Sequence, residues 1–214
     1  MDFEFMLENV PLYANAAIFT LVLAFCGIAL SFVIGIFCAL TLYFKIRFLS
    51  VFVKGYIELS RNTPLLIQLF FLHFGLKIEP YLCAVIGLAF LGGSYMAEAF
   101  RGGLESVEKI QLESALSIGL TKTQMMIYVI IPQALIVSVP AIGANMIFLL
   151  KETSIVSIIA LTDLVAVAKD LISIYYMTNE ALFMLIISYL VLLLPISMAV
   201  DFVERKVRYA AFGN

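Results

Sequence analysis

Charge is what this chain has least of. Asp, Glu, Lys and Arg together make 13% of its 214 residues, while hydrophobic residues make 64%. A soluble domain carries about a quarter of its residues charged, so a water-soluble fold is excluded and a chain that crosses the membrane several times is expected. The net charge of −2 provides no basic footprint, and no nucleic acid is expected as a partner. Trp is absent, so aromatic belts at the membrane surfaces must come from the 10 Tyr and 18 Phe. The three cysteines, Cys26, Cys38 and Cys83, sit in apolar segments without a Cys-x-x-Cys spacing and read as small packing residues. His73 is the only histidine and stands among Phe71, Leu72 and Phe74, which leaves a metal without further ligands. No nucleophile–base arrangement and no Gly-x-x-x-x-Gly-Lys-Ser/Thr phosphate loop occurs. No catalytic residue, metal or cofactor is therefore expected, and any nucleotide chemistry must lie in a partner.

The N-terminus lacks the positive stretch of a cleavable signal, since Asp2, Glu4 and Glu8 are acidic. Residues 2–13, which include Pro11, are expected to form a short amphipathic helix on the membrane surface. No charge then occurs from Asn9 to Phe44, well beyond the roughly 20 residues needed to span a bilayer. The first span is placed at 15–44. The second, at 52–76, carries Lys54, Glu58 and Arg61 and is expected to break or kink at Pro64. Backbone freed by that break needs protein or water for partners, not lipid. The third span, 81–100, has Gly87, Gly92, Gly93 and Ser94 as a small-residue face for close helix packing. A polar loop covers 101–122. The fourth span, 123–150, is interrupted by Pro132 and Pro140. The apolar run Ile155–Leu161 is too short to cross and is expected to re-enter the membrane or lie at its surface. The fifth span is placed at 181–200.

Lys and Arg cluster after the first, third and fifth spans (Lys45, Arg47 and Lys54; Arg101, Lys109 and Lys122; Arg205, Lys206 and Arg208), whereas Lys77 stands alone after the second and Lys151 and Lys169, between the fourth and fifth, are balanced by Glu152, Asp163, Asp170 and Glu180. The positive-inside rule then predicts an all-α, polytopic protein of five transmembrane helices, N-terminus outside and C-terminus in the cytoplasm. No repeat and no low-complexity segment is visible.

The cytoplasmic loop 101–122 carries the strongest pattern. Glu113-Ser114-Ala115-Leu116-Ser117-Ile118-Gly119 reads as a short helix that Gly119 ends in the left-handed conformation. Val129-Ile130-Ile131-Pro132 follows. Such a helix, projecting from the membrane, suits a partner's groove. An ordinary solvated loop is the plainer alternative.

Glu113, Ala115, Gly119 and the downstream Pro132 resemble the Glu-Ala-Ala loop of bacterial ABC importer permeases, with Ser114 in place of the middle Ala. Further stretches resemble the polar amino acid branch (histidine, glutamine and glutamate type) of that family. These are Tyr56 to Leu66 with Gln68, Ser94 to Glu98, Phe100 to Gly103, Pro132-Gln133-Ala134, and Leu150 to Ser154. Asn62 departs from the Gly usual after the Arg. The resemblance covers about 14–208 and implies one permease domain over 1–214. It further implies partners: ABC ATPase subunits, an extracytoplasmic amino acid-binding protein, a second permease subunit of the same or a sister chain, and the lipid of the bacterial inner membrane. Glu113, Ala115 and Gly119 would couple the chain to the ATPase.

Intramembrane polar groups at a broken helix are the first candidates for the substrate pathway. Thr63 and Gln68 flank Pro64, Ser94 lies on the small-residue face, and Glu98 can receive an ammonium group or pair with Arg101 on its own helix. Arg61 is expected to snorkel to the inner surface. Asp163 and Glu152 can line the outer entrance or sit in solvated loop. A secondary, ion-coupled transporter of small polar solutes is the alternative function, since such proteins also use broken helices. A non-transporting membrane scaffold is a third, which the broken spans and intramembrane acids oppose.

Overall fold

The computed structural model describes residues 1–212, and no strand occurs among them. Nine α-helices follow in order: α1 Phe3–Tyr43, α2 Arg47–Arg61, α3 Leu65–Phe70, α4 Pro80–Glu105, α5 Lys109–Ser117, α6 Lys122–Met125, α7 Ile131–Glu152, α8 Leu164–Tyr175 and α9 Thr178–Phe212. Helix α3 continues as a π-turn, Phe71–Gly75. Another π-turn, Met126–Ile130, joins α6 to α7, and a 3-10 turn, Thr153–Ile159, follows α7. Among the described residues, four stretches are long and apolar enough to cross a membrane: Phe3–Tyr43, Pro80–Glu105, Lys122–Ile159 and Thr178–Tyr209.

The separate surface helix expected at residues 2–13 does not form. Those residues begin α1, which runs unbroken through Pro11 for 41 residues. The Asp2 carboxylate caps it by accepting the Glu4 and Phe5 amides at 3.0 and 3.1 Å. At 1.5 Å per residue α1 is about 60 Å long, roughly twice the hydrocarbon thickness. Its first turns are tied to α9, where the Asp2 amide donates to Glu180 at 3.1 Å and the Tyr13 hydroxyl to the Ala181 carbonyl at 2.7 Å. Helix α9 in turn extends well beyond the expected 181–200.

Helix α4 is the centre of the bundle. Of its most apolar window 72% is buried, against 11% for α9. The expected small-residue face explains this. A Cβ on Gly92 would collide with Ser31 and Leu149, and one on Gly93 would stand 2.6 Å from Ile34 Cγ2. Helix α1 reciprocates with Gly35, where a Cβ would lie 2.5 Å from that of Met96. Backbones this close gain dispersion contact where no hydrophobic drive separates protein from lipid.

The contacts also give directions. Gly27 meets Leu88 and Gly35 meets Met96, so α1 and α4 are parallel. Gly103 meets Ala134, the Ala99 carbonyl accepts from Ser138, and Gly92 meets Leu149, so α7 is antiparallel to α4. Gly143 meets Val200, and Pro140 shares a cleft with Glu204, so α9 is antiparallel to α7.

Of the run at 155–161, residues 155–159 fall in the 3-10 turn, with Val156 and Ile159 buried in the same cluster as Leu65, Leu69 and Leu88. Helix α8, unforeseen in the sequence, follows it and buries Leu164, Val167, Ala168 and Leu171 against α1 and α9.

Candidate functional site

The break falls where Pro64 requires it. Helix α2 ends at Arg61, and α3 starts at Leu65 with Pro64 before it. Side chains satisfy the carbonyls this releases. Gln68 Nε2 donates to the Thr63 carbonyl at 2.9 Å and to that of Ser60 at 3.3 Å. Thr63 Oγ1 donates to Leu59 at 2.8 Å, and Asn62 Nδ2 to Glu58 at 2.8 Å. Asn62 also reaches the Glu58 carboxylate at 3.2 Å, so the departure from Gly adds a polar contact at this corner. Gln68 Oε1 is buried without a partner.

Helix α2 is pinned to α4 by polar groups that the sequence reading passed over. Tyr56 Oη and Ser60 Oγ both reach the Phe90 carbonyl, at 2.7 and 2.9 Å. Ser60 also stands 3.0 Å from Ser94 Oγ, which donates to Leu91 at 2.7 Å. Ser94 is fully buried, and Gln68 nearly so. Of the expected pathway residues, Thr63, Gln68 and Ser94 thus come together around the break and serve its backbone and its seat on α4.

Glu98 lies one turn beyond Ser94, in a row of charges. It accepts from Arg101 at 2.7 Å and faces Arg61 Nη1 at 3.9 Å. Arg101 also holds both oxygens of Glu105 at 3.1 Å. The intrahelical pairing weighed for Glu98 is present. Arg61 does not extend away alone: its guanidinium lies 5.4 Å over the Tyr95 ring, a cation–π contact.

Asp163 sits apart from this group and is not solvated loop. It is fully buried and caps α8, its Oδ1 accepting from the Ala166 amide at 2.9 Å. Its Oδ2 has no partner. Burial outweighs the cap bonds and pushes its carboxyl up to about 6. The sequence signal was available: an Asp before Leu164, Val167, Ala168 and Leu171, spaced as one helical face.

In the 101–122 segment, the short helix and the left-handed Gly119 both form. Gly119 has φ +84°. The Leu120 amide donates to Ala115 at 3.1 Å and the Gly119 amide to Leu116 at 3.0 Å, the bond pair of a Schellman stop. Ala115 is buried, whereas Glu113 is exposed. Ile110, Leu116 and Ile118 are 64, 52 and 78% exposed, an apolar surface on an otherwise polar segment. The next helix starts at once: Thr121 and Gln124 form a reciprocal capping box.

A chain with a Pro-broken helix against a glycine-faced central span, and a short helix closed by Gly119, belongs to the family of binding-protein-dependent transport system inner membrane components, whose model matches residues 31–209. It is similar over 96% of its length to the "probable glutamine ABC transporter permease protein GlnM" of Bacillus subtilis strain 168, at 30% identity and 98% of that protein. It is 35% identical to the "probable amino-acid permease protein YxeN" of the same organism, over 96% of this chain and 95% of the relative. Among solved structures, an amino acid ABC transporter with histidines superposes at a TM-score of 0.86 and 34% identity, over 96% of this chain and 99% of that one. The MetNI methionine ABC transporter in an inward-facing conformation shares the fold, with a TM-score of 0.76 at 21% identity, over 94% of this chain and 98% of that one.

Proposed function

We propose that this chain is the transmembrane permease subunit of an ATP-driven, binding-protein-dependent amino acid importer in the bacterial inner membrane. The observation that carries this reading is α5. It is a short helix between two spans, stopped by Gly119, with Ile110, Leu116 and Ile118 uncovered. Apolar side chains at a polar loop call for a protein groove. An ATPase subunit supplies it, with Glu113, Ala115 and Gly119 as the coupling residues. Full-length similarity to amino acid permeases supports the substrate class. A binding protein outside and a second permease complete the assembly.

The chain crosses the membrane five times, N-terminus outside and C-terminus in the cytoplasm. Parallel packing of α1 and α4 supports this count, because the chain must return across the membrane between Tyr43 and Pro80, where only α2 and α3 lie. The antiparallel α7 and the α9 that reverses it add the last two crossings. Substrate passes beside the Pro64 break. Thr63 and Glu98 face the path, Gln68 and Ser94 hold its wall, and Asp163 fixes α8 near the outer end.

Co-purification from the native host, with identification of the partners, tests the reading. An ATPase and an extracytoplasmic binding protein are expected with this chain. Recovery of the intact chain alone, active with an ion gradient and without ATP, would favour the ion-coupled alternative.

A further inference from the structure

Helices α1 and α9 run side by side and leave a long apolar groove between them, of about 660 Å³. We infer that this groove binds one acyl chain of a membrane phospholipid, whose head group carries an ammonium group, as in phosphatidylethanolamine. The site does not depend on which solute the protein carries.

The walls come first. On α1 the residues Phe3, Leu7, Val10, Ala14, Ala17 and Leu21 line the groove at every third or fourth position, one helical face. On α9 the lining runs from Phe183 to Ile196 with helical spacing. Both helices contain stretches long and apolar enough to cross a membrane, so lipid is the solvent available to this face. A polar clasp closes one end, where the Asp2 amide donates to Glu180 and the Tyr13 hydroxyl to Ala181. Beyond it, the short side chains of Ala14, Ala17 and Ser188 leave the hollow. Apart from the engaged Tyr13, Ser188 is the only lining residue with a polar side chain. A polar solute or an extended peptide would find almost no hydrogen-bonding partner there.

The dimensions select the occupant. Phe183 to Ile196 covers about 20 Å of helix at 1.5 Å per residue. One leaflet is about half of a hydrocarbon core of about 30 Å, so the groove can hold a chain along a whole leaflet. Spread over about 20 Å of helix, 660 Å³ leaves a channel about 6 Å across. An α-helix with its side chains is about 10–12 Å wide and does not enter. A single hydrocarbon chain does, and it restores dispersion contact along an uneven wall.

Charge selects the head group. Asp2 and Glu180 meet at the clasp, while no Lys or Arg occurs in residues 1–44 or in α9 before Arg205. Lys169, the basic residue nearest Glu180 in sequence, donates to Ser157 at 3.2 Å. An anionic head group is repelled by this end, and an ammonium group is attracted.

The test uses the purified complex, with its co-purified subunits, in vesicles of equimolar phosphatidylethanolamine and phosphatidylglycerol. A trace of one lipid or the other carries a photoreactive diazirine in its acyl chain, and cross-linked peptides are mapped by mass spectrometry. Cross-links should concentrate on residues 3–21 and 183–196. Phosphatidylethanolamine should exceed phosphatidylglycerol there by about three-fold, the scale of one exposed charge pair. Ala14→Phe combined with Ser188→Leu fills the groove and should abolish this labelling. Val22→Phe, exposed on the same helix but outside the groove, should label as wild type. Should the double variant fail to assemble, Ala14→Phe decides alone, since that position is exposed. Unchanged labelling in the filled groove overturns the site, because it marks bulk lipid only. Equal yields from the two lipids overturn the head-group assignment. Absence of lipid cross-links from the groove also overturns the site, because a second copy or another subunit then covers it.

Discussion

The Leu120 amide donates to the carbonyl of Ala115 at 3.1 Å, closing α5 over a glycine with φ +84°. That one bond sets the direction in which α5 points. It forms only if the residue between can adopt a left-handed backbone, which costs a residue with a Cβ about 1–2 kcal/mol.

Gly119→Ala should therefore weaken coupling, and Gly119→Val should do so more strongly. A Cβ at this position meets nothing within 4 Å, so the cost is in the backbone alone. Both variants should reach the membrane at wild-type levels, because residue 119 lies outside every span. Reconstituted hydrolysis should lose its dependence on loaded binding protein. Retained dependence in Gly119→Val would show that the turn does not aim α5.

The break should be sensitive to the side chains that serve its carbonyls. Gln68→Leu leaves the Ser60 and Thr63 carbonyls without their donor, at a cost of about 1–3 kcal/mol. Thr63→Ala removes one bond and should cost about 1 kcal/mol. Uptake should fall in both while the assembled complex survives size-exclusion chromatography. Normal uptake kinetics in Gln68→Leu would separate the break from the pathway.

The α1–α4 contact should tolerate no added methyl group. Gly35→Ala places a Cβ 2.5 Å from that of Met96, where helix backbones leave no room to yield. A loss of about 1–3 kcal/mol is expected from such overpacking. It should register as a lower Tm of the detergent-solubilised complex. An unchanged Tm would mean that the two helices do not meet as described.

Asp163 supplies a pH dependence. Its folded carboxyl titrates near 6, above its ordinary value, because burial disfavours the charge. The folded state then holds a proton that the unfolded state has lost, so stability should rise as pH falls from about 6 towards 4. Asp163→Asn keeps a capping side chain and removes the titration, so the slope in this window should flatten, with a gain at pH 7 of at most about 3 kcal/mol. Tm measured between pH 4.5 and 7.5 for both proteins checks this. Equal slopes would show that Asp163 is not the titrating group.

Local signals were legible where a residue type dictates the backbone. Pro64 stopped α2, Gly119 turned α5, and the glycines of α4 announced a face for close helix packing. The beginning of α1 was misread because Pro11 and three acids suggest a surface helix, whereas the Asp2 cap and the Glu180 and Tyr13 contacts draw it into one long rod. Helix α8 was missed because its apolar face is short and Asp163 was weighed as an entrance or loop charge, not as a cap. The partners of Arg61, Tyr95 and Glu98 across the α2–α4 seam were invisible because they lie more than thirty positions apart in sequence.

Membrane direction has its own check. Cysteines placed at Glu4 and Arg205, with Cys26, Cys38 and Cys83 replaced, should label from opposite sides of the membrane. Labelling of both from one side would contradict the odd number of crossings.

The most direct measurement of the central claim is amino acid uptake into proteoliposomes containing this chain, its co-purified ATPase and its binding protein. The account predicts accumulation that needs ATP and the loaded binding protein, and that collapses when Glu113→Lys and Gly119→Val are combined. Uptake that proceeds without ATP, or survives the double substitution with stimulated hydrolysis intact, would contradict it.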